Sequence, residues 1–241
     1  MISLSIDGHE IQAEEGATIL EVARDNGIEI PTLCYHEALE SYGACRLCMV
    51  EIVIGSRPRL VASCCYPAEE GLEVRTNSER VIKFRKGVVE LLLARCPSVK
   101  AIQDLAQGMG IESPRFGLKE EDCILCGLCV RACTEVVGVS AISLVGRGMD
   151  REVATPFYEP SKTCIGCASC AAVCPTKAIK VEDVGNTRRI RNWKVEFELQ
   201  QCKTCGKYFA PKAQLEYLWQ KSGLPQEFFE ICPDCMRGNR Q

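Results

Sequence analysis

The sequence predicts an α+β protein made of several small domains, and three observations lead there. The chain opens with strand-like alternation broken by a turn signal, and a helix start follows at Thr18-Ile-Leu-Glu21. The 18 cysteines fall in clusters rather than singly. Eight of them form two runs of like spacing, repeated at a period of 41 residues. A length of 241 residues accommodates two or three small domains.

In chain order, Ile2 to Ile6 and His9 to Ala13 read as strands joined by an Asp7-Gly8 hairpin turn. Thr18 and Glu21 form a capping-box pattern, and Gly27 suits the helix end. Met49 to Ile54 and Arg59 to Ser63 read as a second hairpin through Gly55. Val81, Phe84, Val88, Leu91 and Leu92 recur at helical spacing, which predicts an amphipathic helix over Ser78 to Arg95, stopped at Pro97. A shorter helix carries Val99, Ile102, Leu105 and Ala106 and ends near Gly108. The apolar faces of both helices are expected to pack the N-terminal domain against the next one. Ala141 to Val145 mirrors Ala178 to Val181, so each half of the repeat is loop, short helix, strand. Gly146-Arg147-Gly148 is a turn, and Thr155-Pro156-Phe157 with Pro160 leads to the second run. Thr187 to Lys194, with Arg188, Arg189 and Arg191, reads as an exposed linker strand or as a docking segment for an acidic partner. Ala213 to Lys221 reads as a helix broken by Gly223-Leu224-Pro225. The expected domains are 1–77, a helical connector 78–118, the repeat 119–184 and a tail 185–241.

A formal charge of −3 offers no basic field for nucleic acid. The start MISLSIDGHEIQAEE lacks the basic and apolar regions of a leader, and no apolar run approaches a membrane span. A cytoplasmic chain without membrane insertion is therefore expected, with cysteines serving as metal ligands rather than disulfides. Only His9 and His36 are available for histidine chemistry, and both read as polar surface residues.

The runs are Cys123-x2-Cys126-x2-Cys129-x3-Cys133 and Cys164-x2-Cys167-x2-Cys170-x3-Cys174-Pro175. This is the bacterial four-cysteine pattern for iron–sulfur ligation, in which the fourth cysteine serves the other cluster. Cys123, Cys126, Cys129 and Cys174 are therefore assigned to one 4Fe–4S cluster, and Cys164, Cys167, Cys170 and Cys133 to a second. Three thiolates at this spacing line a tight loop, and Gly127, Gly166 and Ala168 let backbone N–H groups approach the sulfurs. Paired zinc knuckles fit the runs poorly, because zinc takes four ligands per site.

Upstream, two strands, a helix and a cysteine loop follow the order of a β-grasp ferredoxin. Cys34-x10-Cys45-x2-Cys48 with Cys64 or Cys65 supplies four ligands for a 2Fe–2S cluster, and Gly43 is expected to let amide groups point at a sulfur. Plant-type ferredoxins have x4 as the first interval, so the likeness to them is at the level of fold. At the other end, Cys202-x2-Cys205 and Cys232-Pro-Asp-Cys235 form two knuckles for zinc or a further Fe–S cluster. These assignments use 16 of the 18 cysteines and leave one of the Cys64/Cys65 pair and Cys96, expected as a buried thiol. No glycine-rich phosphate loop, radical-SAM triad or hydrogenase ligand set remains, so no catalytic residue is assigned.

"GACRLCMVE" and the two runs, within residues 1 to about 184, resemble the small electron-relay subunit of NAD(P)-linked hydrogenases. The same module opens the large peripheral-arm subunit of respiratory complex I and iron-only hydrogenases. The resemblance implies that Cys64, three residues before Pro67, is the fourth 2Fe–2S ligand. It also implies a flavin- and NAD(P)-binding diaphorase-type partner and a second redox partner, with hydrogenase first and NAD-linked formate dehydrogenase next. Relay subunits of electron-bifurcating complexes rank first among the homes it implies. Many relatives hold a further cluster with one histidine and three cysteines. Here that stretch is LLLARCPSVKAIQDLAQ, which has Cys96 alone, so that cluster is expected to be absent. The iron–sulfur subunit of succinate dehydrogenase is a rival of similar size, but its x4 interval does not match. A free multi-cluster ferredoxin and a zinc-binding interaction module complete the competing functions.

Overall fold

The computed structural model describes residues 1–55, 57–115, 117 and 120–238. The expected boundary at 118/119 lies outside the described residues. Two compact units form, Met1–Leu128 and a second from Cys129 onward.

The first unit begins with β1 (Ile2–Ile6) and β2 (His9–Ala13), paired antiparallel. Asp7 (φ 50°) and Gly8 (φ 84°) make the tight turn that the sequence signals. Helix α1 (Ile19–Asp25) starts at Thr18, whose side chain accepts from Glu21 N while Glu21 accepts from Thr18 N at 2.8 Å. Its Ile19, Leu20, Val22 and Ala23 are buried among residues of the sheet. Strands β3 (Met49–Ile54) and β4 (Arg57–Ala62) form the second hairpin, and β5 (Glu73–Arg75) completes a sheet ordered β2-β1-β5-β3-β4. The sequence reading has no β5. It is three residues long and exists by pairing parallel to β1 and antiparallel to β3, partners remote in sequence.

Helix α2 (Glu79–Arg95) follows, capped by Ser78, with α3 (Lys100–Gly108) after it. The buried face of α2 is not the expected one. Val81, Arg85, Val89 and Leu93 point inward, whereas Phe84 is 37% and Leu91 53% exposed. A count of apolar residues assigns Arg85 to solvent. In the fold it is buried and its Nη2 donates to the Met49 carbonyl of β3 at 2.7 Å. The buried face is thus offset by about one residue from the apolar pattern, with this bond on it.

In the second region, α4 (Leu128–Arg131) runs into a π-helical turn, Ala132–Val136, that carries Cys133. Strands β6 (Ser143–Val145) and β7 (Glu152–Ala154) form a two-stranded ribbon. Gly146 in its turn has φ 70°, and a Cβ there would lie 2.3 Å from the Asp150 carbonyl oxygen. Gly146→Ala is expected to cost about 2–4 kcal/mol, because left-handed strain adds to a backbone clash. Chemical denaturation of the variant checks this.

Helix α5 (Ser169–Ala172) precedes β8 (Val181–Val184), β9 (Thr187–Ile190), β10 (Val195–Gln201) and β11 (Tyr208–Pro211). The last four make one antiparallel sheet ordered β11-β10-β9-β8. The expected exposed linker at Thr187 to Lys194 is corrected here, since β9 is an interior strand of that sheet. Its arginines meet acids across the register: Arg188–Asp183 at 2.8 Å, Arg189–Glu196 at 2.9 Å and, just beyond it, Arg191–Glu182 at 2.9 Å. The three arginines are thus each paired with an acid. Helix α6 (Lys212–Ser222) lies on β10 and β11 and ends at Gly223 (φ 67°), and the short α7 (Pro233–Met236) carries the last cysteine. No helix among the described residues is long and apolar enough to cross a membrane.

Candidate metal centres

Cys34, Cys45 and Cys48 lie on the long loop between α1 and β3, and Cys64 follows β4. The free N–H groups at the start of α1 hold that last segment in place. Ile19 N donates to Tyr66 O at 3.0 Å and Leu20 N to Ser63 O at 3.1 Å. Cys34, Cys45, Cys48 and Cys64 are each at most 8% exposed, whereas Cys65 is exposed. Cys48 Sγ and Cys64 Sγ are 3.3 Å apart, and Cys45 N donates to Cys34 Sγ at 3.4 Å. The thiols thus fall into two pairs, 34/45 and 48/64. A hydrogen bond from Cys34 pulls Cys45 down to about 6, and one from Cys64 pulls Cys48 down to about 6. Their partners are pushed up by the same contacts and by burial. Gly43 (φ 65°) makes room beside the site, since a Cβ there would lie 3.0 Å from Cys65 Sγ. His36 lies outside this set and accepts from Ala38 N at Nδ1.

The two four-cysteine runs share a backbone signature. Positive φ flanks the central cysteine of each: Leu125 (57°) and Gly127 (76°) around Cys126, Gly166 (71°) and Ala168 (62°) around Cys167. Glycine occupies opposite flanks in the two runs, so neither flank shows as a glycine position in both. Cys123 and Cys126 belong to the first unit, and Cys129, Cys133 and the second run to the other. Leu125 N donates to Cys123 Sγ at 3.4 Å. Within the second unit, Cys133, Cys164, Cys167 and Cys170 line one cavity with Ile142, Ile190 and Trp193. Ala141 N donates to Cys133 Sγ at 3.2 Å and Trp193 Nε1 to Cys170 Sγ at 3.5 Å. Burial pushes the Cys170 thiol up to about 11, against the pull of that indole. The apolar wall and inward N–H donors suit an anionic sulfur-ligated group that needs shielding from water. Sequence spacing does not mark Trp193 as a site residue, because its contact with Cys170 depends on β9 lying in the sheet.

The tail cysteines converge most closely. The Sγ atoms of Cys202, Cys205, Cys232 and Cys235 all lie within 4.8 Å of one another, with Cys205 and Cys232 at 3.8 Å. Cys232 N donates to Cys202 Sγ at 3.3 Å, and Gly206 (φ 74°) turns its N–H to Cys202 O at 2.9 Å. Cys96 is fully buried at the end of α2, and burial raises its thiol to about 12.

Residues 1–79 match the 2Fe–2S iron–sulfur cluster binding domain family. Residues 117–181 and 156–208 match two 4Fe–4S dicluster domain families. Together with the thiol geometry, these show that the chain carries 2Fe–2S and 4Fe–4S iron–sulfur domains. It is 33% identical to the NADH-ubiquinone oxidoreductase 75 kDa subunit of Reclinomonas americana, over 81% of this chain and 31% of that one. It is 36% identical to the NADPH-Fe(3+) oxidoreductase subunit alpha of Geobacter sulfurreducens, over 73% of this chain and 24% of that one. The chain thus spans about a quarter to a third of these curated relatives. It shares its fold with a chain of an NAD+-reducing NiFe-hydrogenase in the H2-reduced state. That match has a TM-score of 0.65 at 24% identity and covers 96% of this chain and 99% of the other. The chain is accordingly similar, over part of their length, to subunits of NADH- and NADPH-linked oxidoreductases.

Proposed function

We propose that this chain relays single electrons between a flavin- and NAD(P)-binding partner and a second redox partner, a hydrogenase subunit being the first choice. The observation that carries the reading is the combination, in one chain, of four buried thiols within the 2Fe–2S domain match and a cavity lined by cysteines of the repeat. Cys34, Cys45, Cys48 and Cys64 are assigned to the 2Fe–2S cluster, one thiol pair to each iron. On spacing, Cys123, Cys126, Cys129 and Cys174 take one 4Fe–4S cluster, and Cys164, Cys167, Cys170 and Cys133 the other. When bound, the clusters supply one-electron chemistry; the chain holds them, shields them and directs N–H groups at their sulfurs. The proposed location is the cytoplasm.

Cys202, Cys205, Cys232 and Cys235 are assigned to one zinc ion. A tetrahedral zinc–thiolate site with bonds of about 2.3 Å sets its sulfurs about 3.8 Å apart. The 3.8 Å separation of Cys205 and Cys232 fits that spacing, while a cubane holds its thiolates farther apart.

Trp193→Phe is expected to lower the potential of the cluster at Cys170, because a hydrogen bond to a thiolate favours the reduced state. A tenfold change in equilibrium constant, about 59 mV for one electron, is the expected scale, read by redox titration.

The functional test is anaerobic purification from the native source. The expected result is a flavoprotein and a hydrogenase subunit that co-purify with this chain. The isolated chain should hold about ten irons and fail to oxidise NAD(P)H. NAD(P)H turnover by the chain alone would contradict the relay role.

A further inference from the structure

Arg85 is 6% exposed on the inward face of α2. Its Nη2 donates to the Met49 carbonyl at 2.7 Å, and its Nε has no hydrogen-bond partner among the described residues. A buried cation of this kind is costly unless a negative charge faces it. Asp7, a carboxylate whose charge acts on Arg85, is engaged by Thr76, accepting from Thr76 N at 2.7 Å and from Thr76 Oγ1 at 2.5 Å. Burial pushes the guanidinium down, while the charges of Cys48 and then Asp7 hold it up. Met49 follows Cys48 directly, so Arg85 is anchored one residue from an assigned 2Fe–2S ligand.

We propose that Arg85 is the built-in counter-charge of the 2Fe–2S site and raises its reduction potential. The inference rests on the 2Fe–2S assignment above. A 2Fe–2S core with four thiolates is a dianion when oxidised and a trianion when reduced. A fixed positive charge in a water-poor setting stabilises the trianion more. Arg85 is a positioning residue in this role and touches no sulfur directly. If it served only to tie α2 to β3, the Met49 bond would matter and the charge would not.

The test is an EPR-monitored redox titration of the full chain carrying Arg85→Lys, Arg85→Gln or Arg85→Met. Gln and Met are expected to shift the 2Fe–2S equilibrium at least tenfold toward the oxidised form, about 59 mV more negative. Lys is expected to stay within about threefold of wild type, and the 4Fe–4S signals should not move. If Met fails to assemble, the Lys and Gln pair decides. Gln within about threefold of wild type, or Lys shifted as far as Gln, would overturn the proposal. A wild-type chain lacking any 2Fe–2S signal would overturn the assignment beneath it as well, and that outcome is distinct from an unmoved potential.

Discussion

Cys64→Ser is expected to abolish the 2Fe–2S signal, and Cys65→Ser to leave it in place. The two residues are adjacent, so composition, charge and local propensity hardly differ between the variants. Burial and direction separate them. Cys64 is 1% exposed with its sulfur 3.3 Å from Cys48 Sγ, while Cys65 is exposed. Their sulfurs are 3.5 Å apart, so Cys65 lies at the lip of the site. The expected effect of Cys64→Ser is loss of about two of ten irons and of the corresponding spectrum. Iron analysis and EPR on anaerobic material check it. Equal loss in both variants, or loss only in Cys65→Ser, would reverse the ligand assignment.

The second large effect is expected at the tail. Cys202→Ser or Cys232→Ser should remove one zinc per chain and leave about ten irons in place. Structural zinc in small thiolate sites contributes an apparent ~10–16 kcal/mol to folding at neutral pH, far more than the short α7 could supply by packing. Loss of the ion is therefore expected to unfasten the β10–β11 end from the segment that carries Cys232 and Cys235. Hydrogen exchange should accelerate there and stay slow in β1–β5. An unchanged metal content, or loss of iron in place of zinc, would contradict the assignment.

What is legible in the sequence is local. The Asp7-Gly8 turn and the Thr18/Glu21 box specify their elements through contacts within four residues, and each appears as read. Cysteine spacing likewise marks the metal-binding stretches, since ligand spacing is itself local. The features that escape a sequence reading depend on distant partners. Strand β5 exists through β1 and β3, and β9 is interior because β8 and β10 flank it. The inward face of α2 includes a guanidinium that meets a carbonyl 36 residues away, a contact no local pattern signals. Spacing also leaves Cys64 and Cys65 open and leaves the tail's metal open, which burial and sulfur separation address.

The most direct test of the account is EPR spin quantitation on the anaerobically prepared, fully reduced chain, alongside iron, sulfide and zinc analysis. The account predicts one 2Fe–2S centre and two 4Fe–4S centres, about ten irons with matching labile sulfide, and one zinc. A colourless chain with zinc, no labile sulfide and no reducible paramagnet would contradict it.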